Sequence, residues 1–378
     1  MIDLGQVFLK SVSDGDLEKV KACITLGVDI NYMYQGKNAL IYAIMPDGLN
    51  RRQILDLLIH QPNINVNFEV NSQEDSKVIP FLHYIAKMSK FNSRFGIYGI
   101  DYIYKKVFEA PGVNFNAQGG FFRQTLVHYC LAHIKPTRNK IEVVKLFTQC
   151  PGLDWNIPDD DGEMPIHCAT QLAIKGHECD IDILKRLLSV PSLDVNSKDS
   201  RNENIANYAA NSIYYDICCQ EQADVDGSMC NECFIARGWE EVIKLLSQDE
   251  RINWNNKNSF GNTPLMQAVE DENVEVVKAL LSIPSVDVNV LEDMPMTPVM
   301  LKCIQHLRDV STISLSIPEC PVCYDQFQRG HPIYQCDSGH FVCGSCYERV
   351  NSCPVCREDM MGRCTDFEKF LENNANNI

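Results

Sequence analysis

The sequence predicts a mainly α-helical fold, in which helix-turn-helix units with intervening hairpins form a solenoid, followed by a small cysteine-rich domain. Three observations predict this architecture. A four-residue motif recurs along residues 28–289, an amphipathic helical pattern precedes its copies, and cysteines crowd between Cys320 and Cys364. Of the eighteen cysteines, eight lie in that last segment.

The composition indicates a folded protein without a nucleic-acid or membrane partner. Hydrophobic residues make up 45% and charged residues 22% of the chain, which is too apolar for a disordered protein. The net charge of −16 argues against nucleic-acid binding, which needs a basic surface. No apolar run is long enough to span a membrane, and the amino terminus lacks the pattern of a secretory signal. We therefore expect a cytoplasmic protein with reduced thiols, with the nucleus as an alternative location.

The recurring motif consists of an aliphatic residue, Asp or Asn, an apolar residue and Asn. Its apolar position holds Trp155 and Trp254, which we interpret as packing residues rather than ligand-binding residues. The copies are 34 to 59 residues apart, and the two widest intervals, 49 and 59, predict insertions near residues 86–104 and 213–235. The seven final asparagines are Asn31, Asn67, Asn116, Asn156, Asn196, Asn255 and Asn289.

A helix start follows the motif. In Gly261-Asn262-Thr263-Pro264 the glycine favours a turn, the Thr263 hydroxyl can cap the helix, and Pro264 suits its first position. Thr297-Pro298 repeats this start. A unit of two helices and a hairpin cannot bury its apolar faces alone, so we expect the units to stack on one another.

Partial copies of a Thr-Pro-Leu-His signature accompany these starts, at residues 125–128, 164–167 and 263–266. With the period and the hairpin motif, they make residues 1–310 resemble an array of about seven ankyrin repeats. The resemblance implies a docking scaffold that binds an unknown protein partner through its hairpin tips and concave face.

Several polar residues of the array have structural interpretations. We interpret His83, His128 and His167 as hydrogen-bonding residues of the repeat, and the run Asp159–Asp161 as a solvated turn. In the second insertion, Cys230 and Cys233 form a CxxC pair near Cys218 and Cys219. We interpret these four as buried or free thiols, and a third structural zinc site remains the alternative.

The strongest chemical signal lies near the end of the chain, where cysteines and one histidine follow the pattern C-x2-C-x12-C-x3-H-x2-C-x2-C-x6-C-x2-C. Eight such ligands satisfy two tetrahedral zinc ions and leave no open position, which is typical of structural sites. A segment of about forty residues has too small a core to fold without that metal. The predicted ligands are Cys320, Cys323, Cys336, His340, Cys343, Cys346, Cys353 and Cys356.

This ligand order resembles the C3HC4 RING finger of ubiquitin ligases. Within that family, Gln335-Cys336, Ser338-Gly339-His340 and Cys353-Pro354 are similar to the seven-in-absentia type. The resemblance implies interleaved sites. The first zinc would be bound by Cys320, Cys323, Cys343 and Cys346, and the second by Cys336, His340, Cys353 and Cys356.

The resemblance also implies an activity and residue roles. A RING finger binds a ubiquitin-conjugating enzyme that carries a ubiquitin thioester, and holds it in a reactive conformation without a covalent intermediate of its own. Val322, Val350 and Pro354 would contact the conjugating enzyme, with Val350 in the short helix after Cys346. Arg357 would bridge the conjugating enzyme and ubiquitin, since its planar fork offers five donors.

The sequence as a whole therefore predicts an ankyrin-repeat solenoid followed by a small two-zinc RING domain. We expect an E3 ubiquitin transferase whose repeats recruit a protein substrate. The alternative is a non-catalytic scaffold that uses the finger for docking or dimerisation, which the small Val350 favours. The expected boundaries are an array at 1–310, a linker at 311–319, a finger at 320–357 and a short tail at 358–378, with Cys364 as a free thiol.

Overall fold

The computed structural model describes residues 3–45, 50–72, 77–91, 100–211, 238–271, 273–291, 319–336 and 340–373. These residues belong to two compact units, Met1–Ser200 and Arg201–Ile378. Three features of the sequence lie outside the described residues: the insertion at 213–235 with its four cysteines, the helix start at Thr297-Pro298, and residues 311–318 of the linker. Among the described helices, none has the length and apolar composition that a membrane span requires.

The first unit consists of helices that pack on their neighbours along the chain, as a solenoid requires. Helix α1 packs on α2 and α3, α7 packs on α5, α8 and α9, and α10 packs on α8 and α9. Helices α5 and α6 occupy both ends of the insertion predicted at 86–104, which leaves only residues 92–99, outside the described part, between them. The helices are α1 (Leu4–Asp14), α2 (Leu17–Thr25), α3 (Ala39–Ile44), α4 (Arg51–Ile59), α5 (Phe81–Phe91), α6 (Ile100–Val107), α7 (Leu126–His133), α8 (Arg138–Thr148), α9 (Pro165–Ile174) and α10 (Glu178–Leu188).

Two antiparallel hairpins project between these helices. Strand β1 (Glu69–Ser72) pairs with β2 (Lys77–Pro80), and β3 (Gln118–Gly119) pairs with β4 (Gln124–Thr125). The first hairpin lengthens its repeat, which accounts for part of the wide interval between Asn67 and Asn116.

Short polar side chains set where the first helices begin. The Asp3 carboxylate accepts a hydrogen bond from Gly5 N (2.9 Å) at the start of α1, and the Asn38 amide oxygen accepts one from Ile41 N (3.1 Å) at the start of α3. These bonds satisfy backbone donors that have no partner within the helix. Helix α1 ends at Gly15, whose φ of 72° lies in the left-handed region that glycine adopts without strain.

The core of the first unit is mainly apolar, and it includes one buried ion pair. Phe8, Tyr104 and Phe147 are fully buried, as are aliphatic residues on several of the helices. In this interior the Lys140 ammonium on α8 lies 2.7 Å from an Asp180 carboxylate oxygen on α10, and both side chains are almost completely buried. Each charge is tolerated there because the other compensates it.

The final asparagines of the motif form a ladder between neighbouring repeats. The side-chain amide of Asn116 donates to Gly152 O (2.8 Å), while its oxygen accepts from Asp154 N (2.8 Å) in the next copy. Within that copy, the Asp154 carboxylate accepts from Asn156 N (2.9 Å), which holds the backbone in a turn. Asn31, Asn67, Asn156 and Asn255 make the same pair of bonds to the repeat that follows each of them.

The three buried histidines also connect neighbouring repeats. Nε2 of His83, His128 and His167 donates to the carbonyl oxygens of Gln124 (2.9 Å), Glu163 (3.0 Å) and Ser197 (3.1 Å). In two of them Nδ1 accepts from a backbone amide, Thr125 N for His128 and Met164 N for His167. A ring that donates at one nitrogen and accepts at the other is neutral. The structural interpretation of these histidines is confirmed.

The hairpin tips are joined to one another by backbone bonds. Asp160 N donates to Phe122 O (2.8 Å), and Ser200 N donates to Asp161 O (2.9 Å). The predicted solvated turn is wrong for Asp159, which is buried. Its carboxylate accepts from the amides of Asp161 and Glu163, both at 3.0 Å. Only the next two aspartates, at 160 and 161, are exposed.

The second unit continues the repeats. Thr263 caps α13 as predicted, since its hydroxyl accepts from Met266 N (3.3 Å), and Pro264 is the first helical residue. Trp254 is buried here, and Trp155 is buried in the first unit, which confirms their packing role. The repeat helices of this unit are α11 (Ile205–Ala210), α12 (Gly238–Leu246), α13 (Pro264–Glu270) and α14 (Val274–Leu281), followed by a 3₁₀ turn at Asn289–Leu291.

The cysteine-rich segment folds around a three-stranded sheet in the order β6-β5-β7. It contains β5 (Ile333–Cys336), β6 (Phe341–Cys343), α15 (Gly344–Tyr347), β7 (Met360–Arg363) and α16 (Thr365–Asn373). Phe367 of α16 is fully buried, stacks on Phe341 with ring centroids 4.5 Å apart, and contacts Phe327 at 5.6 Å.

Residues 360–373, which lie beyond the boundary expected for the finger at 357, complete its sheet and its core. Hydrogen bonds to a carboxylate on α16 connect this helix to β5 and β7. The Glu368 carboxylate accepts from Ile333 N (2.9 Å) and from the Arg363 guanidinium (2.8 Å). The hydrogen bond from Arg363 lowers the pKa of Glu368, which favours its charged form.

Candidate metal centre

Two cysteine loops of identical sequence, Cys-Pro-Val-Cys, adopt the same turn at opposite ends of the finger. In the first, Tyr324 N donates to Cys320 O (2.7 Å), and in the second, Arg357 N donates to Cys353 O (2.9 Å). The residue after each loop has a left-handed backbone, with φ of 61° at Tyr324 and 67° at Arg357. Few residues other than glycine adopt this conformation, so the turn constrains both positions.

The remaining ligands lie on the sheet and the short helix. Cys336 ends β5, Cys343 ends β6, and Cys346 lies within α15. Cys336 N donates to His340 O (3.1 Å), and His340 N donates to the Cys336 sulfur (3.3 Å). A backbone donor aimed at the sulfur favours the thiolate that a metal binds.

The structure brings the eight predicted ligands together as two groups. In each group, one ligand atom per residue lies within 4.8 Å of all the others. The groups are Cys320, Cys323, Cys343 and Cys346, and Cys336, His340, Cys353 and Cys356.

The separations within these groups fit tetrahedral zinc. Cys323 Sγ lies 3.8 Å from Cys343 Sγ, Cys336 Sγ lies 3.6 Å from Cys356 Sγ, and Cys336 Sγ lies 3.5 Å from His340 Nδ1. A zinc–sulfur bond of about 2.3 Å gives a tetrahedral edge of about 3.8 Å. Seven thiolates and one imidazole therefore suit two structural zinc ions, and the first and third ligand pairs combine, as do the second and fourth.

The residues assigned to the conjugating enzyme differ in their exposure. Pro354 and Arg357 are exposed, whereas Val322 and Val350 are half-buried. The predicted helical position of Val350 is wrong, because α15 ends at Tyr347. Val350 lies beyond the end of the helix, where its amide donates to Tyr347 O (3.3 Å).

Sequence reasoning missed two exposed apolar side chains beside the zinc loops. Tyr324 is 75% exposed and Val355 is 53% exposed. Both could have been found by aligning the two Cys-Pro-Val-Cys loops. Tyr324 follows the first loop as Arg357 follows the second, and Val355 occupies the position in the second loop that Val322 occupies in the first.

Comparisons with known families assign both parts of the chain. The family model for the RING finger of the E3 ubiquitin-protein ligase sina/sinah matches residues 320–356. The model for ankyrin repeats in three copies matches residues 222–292. The chain therefore carries ankyrin repeats and a Sina-type RING finger with two zinc sites.

Similar curated proteins match a short part of the chain. The chain is 40% identical over 68 residues to the E3 ubiquitin-protein ligase SINA-like 7 of Arabidopsis thaliana, which is 18% of this chain and 23% of that protein. It is 52% identical over 59 residues to the E3 ubiquitin-protein ligase sina of Drosophila melanogaster, which is 15% of this chain and 18% of the relative. The chain thus spans less than a quarter of the length of these relatives.

A solved structure matches the array. The ankyrin repeat domain of Bcl-3 has a TM-score of 0.50 at 15% sequence identity, and the match covers 72% of this chain and 97% of that domain. At this identity the match supports the ankyrin fold and does not indicate a partner.

Proposed function

We propose that this protein is a RING-type E3 ubiquitin-protein ligase, whose ankyrin repeats bind a protein substrate and whose finger positions a ubiquitin-loaded conjugating enzyme. One observation carries the proposal: a Sina-type finger with its complete ligand set, followed by an exposed arginine at position 357.

The finger would act by orientation. Its zinc sites have four protein ligands each and no open position, so the metal would stabilise the fold rather than activate a reactant. In the reaction, the amine of a substrate lysine attacks the thioester carbonyl, an amide bond forms, and the thiolate of the conjugating enzyme leaves. Holding the thioester and the conjugating enzyme in one conformation lowers the entropic part of the barrier, and no bond to this chain forms.

The two zinc loops would supply the contact surface. Val322 lies in the first Cys-Pro-Val-Cys loop and Pro354 lies in the second. Val350 lies between the end of α15 and the start of the second loop. Small apolar contacts of this kind support binding that is weak enough for repeated exchange of the conjugating enzyme.

Arg357 would bridge the two partners. The hydrogen bond from its amide to Cys353 O ties its backbone to the second loop, and its side chain is exposed. Because the backbone is fixed, the guanidinium starts from a restricted set of positions, which reduces the entropy lost when it binds both ubiquitin and the conjugating enzyme.

A discharge assay tests the proposal. The full-length protein with zinc bound is mixed with a panel of ubiquitin-loaded conjugating enzymes and free lysine, and loss of the thioester is followed with time. We expect faster discharge with at least one enzyme, and a reduction of roughly tenfold or more for Arg357→Ala. Arg329→Ala, at another exposed arginine of the finger, should retain the wild-type rate.

The alternative function, a non-catalytic scaffold, is favoured by the size of Val350, where related fingers often carry a bulky residue. Discharge that is not accelerated by any enzyme of the panel, from protein shown to contain two zinc ions, would contradict the ligase and support the scaffold. We propose a reducing location, the cytoplasm or alternatively the nucleus, because the zinc ligands must stay as reduced thiols to bind the metal.

A further inference from the structure

Two neighbouring hairpin tips of the first unit expose large apolar and acidic side chains side by side. Phe121 is 68% exposed and Phe122 is 44% exposed, and their rings meet edge-to-face with centroids 4.9 Å apart. The adjoining tip carries the exposed Asp160 and Asp161. We name these four residues the tip surface.

The two halves of the tip surface are fixed next to each other. Asp160 N donates to Phe122 O (2.8 Å), so the backbones of the two tips are in direct contact. The aspartates therefore lie within side-chain reach of the phenylalanine pair, and a bound segment can touch both at once.

The tips are also closely packed. Gly119 and Gly120 leave no room for a side chain, because a Cβ would collide with Pro80 at the first and with the Tyr129 hydroxyl at the second. Gly162 has a φ of 77°, and a Cβ there would lie 2.8 Å from Ser200 N. A loop that is already ordered loses less entropy on binding. The exposure of the phenylalanines is thus a property of a defined surface.

Single exposed apolar residues are ordinary, but adjacent aromatic residues on an ordered tip are typical of binding sites. The nearby basic residue Arg123 donates to the Gln118 side chain (3.0 Å) on the same hairpin. The half-buried Glu163 adds a third carboxylate beside the two exposed ones. These three carboxylates outnumber the one positive charge of Arg123, so the local charge is negative and complements a basic partner.

We propose that the tip surface binds a segment of a protein partner in which an arginine lies close to a large apolar side chain. The apolar side chain would pack on Phe121 and Phe122. The guanidinium would pair with Asp160 or Asp161 and could also stack on a phenylalanine ring, which an ammonium does less well. This inference deepens the proposed function, on which it rests, because it names the substrate segment that the repeats would recruit.

Selection from a phage-displayed library of random peptides tests the inference. Peptides of about twelve residues can span two neighbouring tips at about 3.3 Å per residue. The full-length protein is the bait, and the enriched peptides are synthesised for affinity measurements. We expect them to contain an arginine near Phe, Leu, Trp or Met.

Two double variants locate the binding site. Phe121→Ser with Phe122→Ser, and Asp160→Lys with Asp161→Lys, should each weaken binding by roughly tenfold or more. The matched controls are Leu26→Ser, at a residue that is 71% exposed elsewhere in the first unit, and Glu178→Lys with Asp182→Lys on α10. Both controls should bind as the wild type does, and the melting temperature checks that each variant is folded.

Three outcomes would overturn the inference: no enriched peptide, enriched peptides without arginine, or affinities that both tip variants retain. The discharge assay on the wild-type protein is read separately from peptide binding. Discharge without peptide binding would support the proposed ligase activity and contradict the proposed role of the tip surface. Peptide binding without discharge would contradict the ligase activity alone.

Discussion

The Lys140 ammonium and the Asp180 carboxylate form an ion pair of 2.7 Å with almost no solvent exposure, between α8 and α10. Asp180→Ala should lower the free energy of unfolding by about 3–5 kcal/mol, because it leaves a buried ammonium without its counter-charge. Urea unfolding followed by circular dichroism measures this.

The double variant Lys140→Met with Asp180→Leu should recover most of that loss, since no charge then remains buried. Glu142→Ala removes the partner of Lys145 in a solvent-accessible pair on the same helix, and should cost at most about 1 kcal/mol. Equal losses for Asp180→Ala and Glu142→Ala would show that burial does not set the strength of the first pair.

The asparagine ladder should contribute measurably to stability. Asn116→Ala removes the two bonds that its side chain makes to the next repeat, and we expect a loss of about 1–2 kcal/mol in urea unfolding. Asn289→Ala is the control, because the Asn289 side chain bonds to Asp287 within its own motif. A loss as large for Asn289→Ala would contradict the importance of cross-repeat bonds.

Acid should destabilise the first unit through His128. Burial lowers the pKa of His128 from 6.5 to about 4, so the folded state favours the neutral ring. Stability is therefore complete above the unfolded pKa of 6.5 and falls as the pH decreases towards 4, by up to about 3 kcal/mol for this residue. The midpoint of urea unfolding between pH 8 and pH 4 measures the effect.

The chain itself suggests the matched variant. Asn207 occupies the same helical position as His128, accepts from Asn204 N (3.2 Å) and donates to Asn256 O (3.3 Å) without a titratable ring. His128→Asn should therefore reduce the pH dependence, and part of it should remain because burial also lowers the pKa of His83 to about 4. His177→Asn, at an exposed histidine, should leave the pH dependence unchanged. An unchanged slope in His128→Asn would disprove the assignment.

Zinc content should distinguish ligands from the remaining cysteine of the finger. Cys353→Ser should reduce the metal from about two ions per chain to about one or fewer, since a site with three thiolate or imidazole ligands binds zinc weakly and the second loop loses its fold. Cys364→Ser should retain about two ions, because Cys364 lies outside both groups. Elemental analysis after dialysis measures both, and loss of metal in Cys364→Ser would contradict the ligand assignment.

The stacked rings of Phe341 and Phe367 should be required for the finger to keep its metal. Phe367→Ala removes a fully buried side chain and should cost about 3–5 kcal/mol, so a chelator should extract zinc faster. Met361→Ala, at a residue that is 69% exposed on β7, should behave as the wild type. Equal extraction rates for the two variants would show that α16 does not support the metal sites.

The sequence predicted those features that depend on residue type and on spacing along the chain. Thr263 and Pro264 predicted a helix start because capping and proline geometry depend on neighbours in the chain. The cysteine spacing predicted the zinc ligands because few other arrangements satisfy tetrahedral thiolates.

Other features depend on tertiary contacts that spacing does not encode. Three consecutive aspartates look alike in sequence, yet the register of one hairpin buries Asp159 alone. The sequence around Phe367 has a helical pattern, but that pattern does not show that Phe367 contacts Phe341. The contact depends on the preceding strand β7, which pairs with β5, about 30 residues earlier in the chain. Val350 lies beyond α15 because that helix has only four residues.

The asparagine ladder has a consequence for folding during synthesis. Five of these asparagines bond to the repeat that comes later in the chain, as Asn31 bonds to Asn63 and Asn65. On a ribosome, the earlier repeat emerges first, and its asparagine stays hydrated until the following hairpin has been synthesised. During synthesis, each of these contacts can therefore form only after the later of its two repeats has emerged.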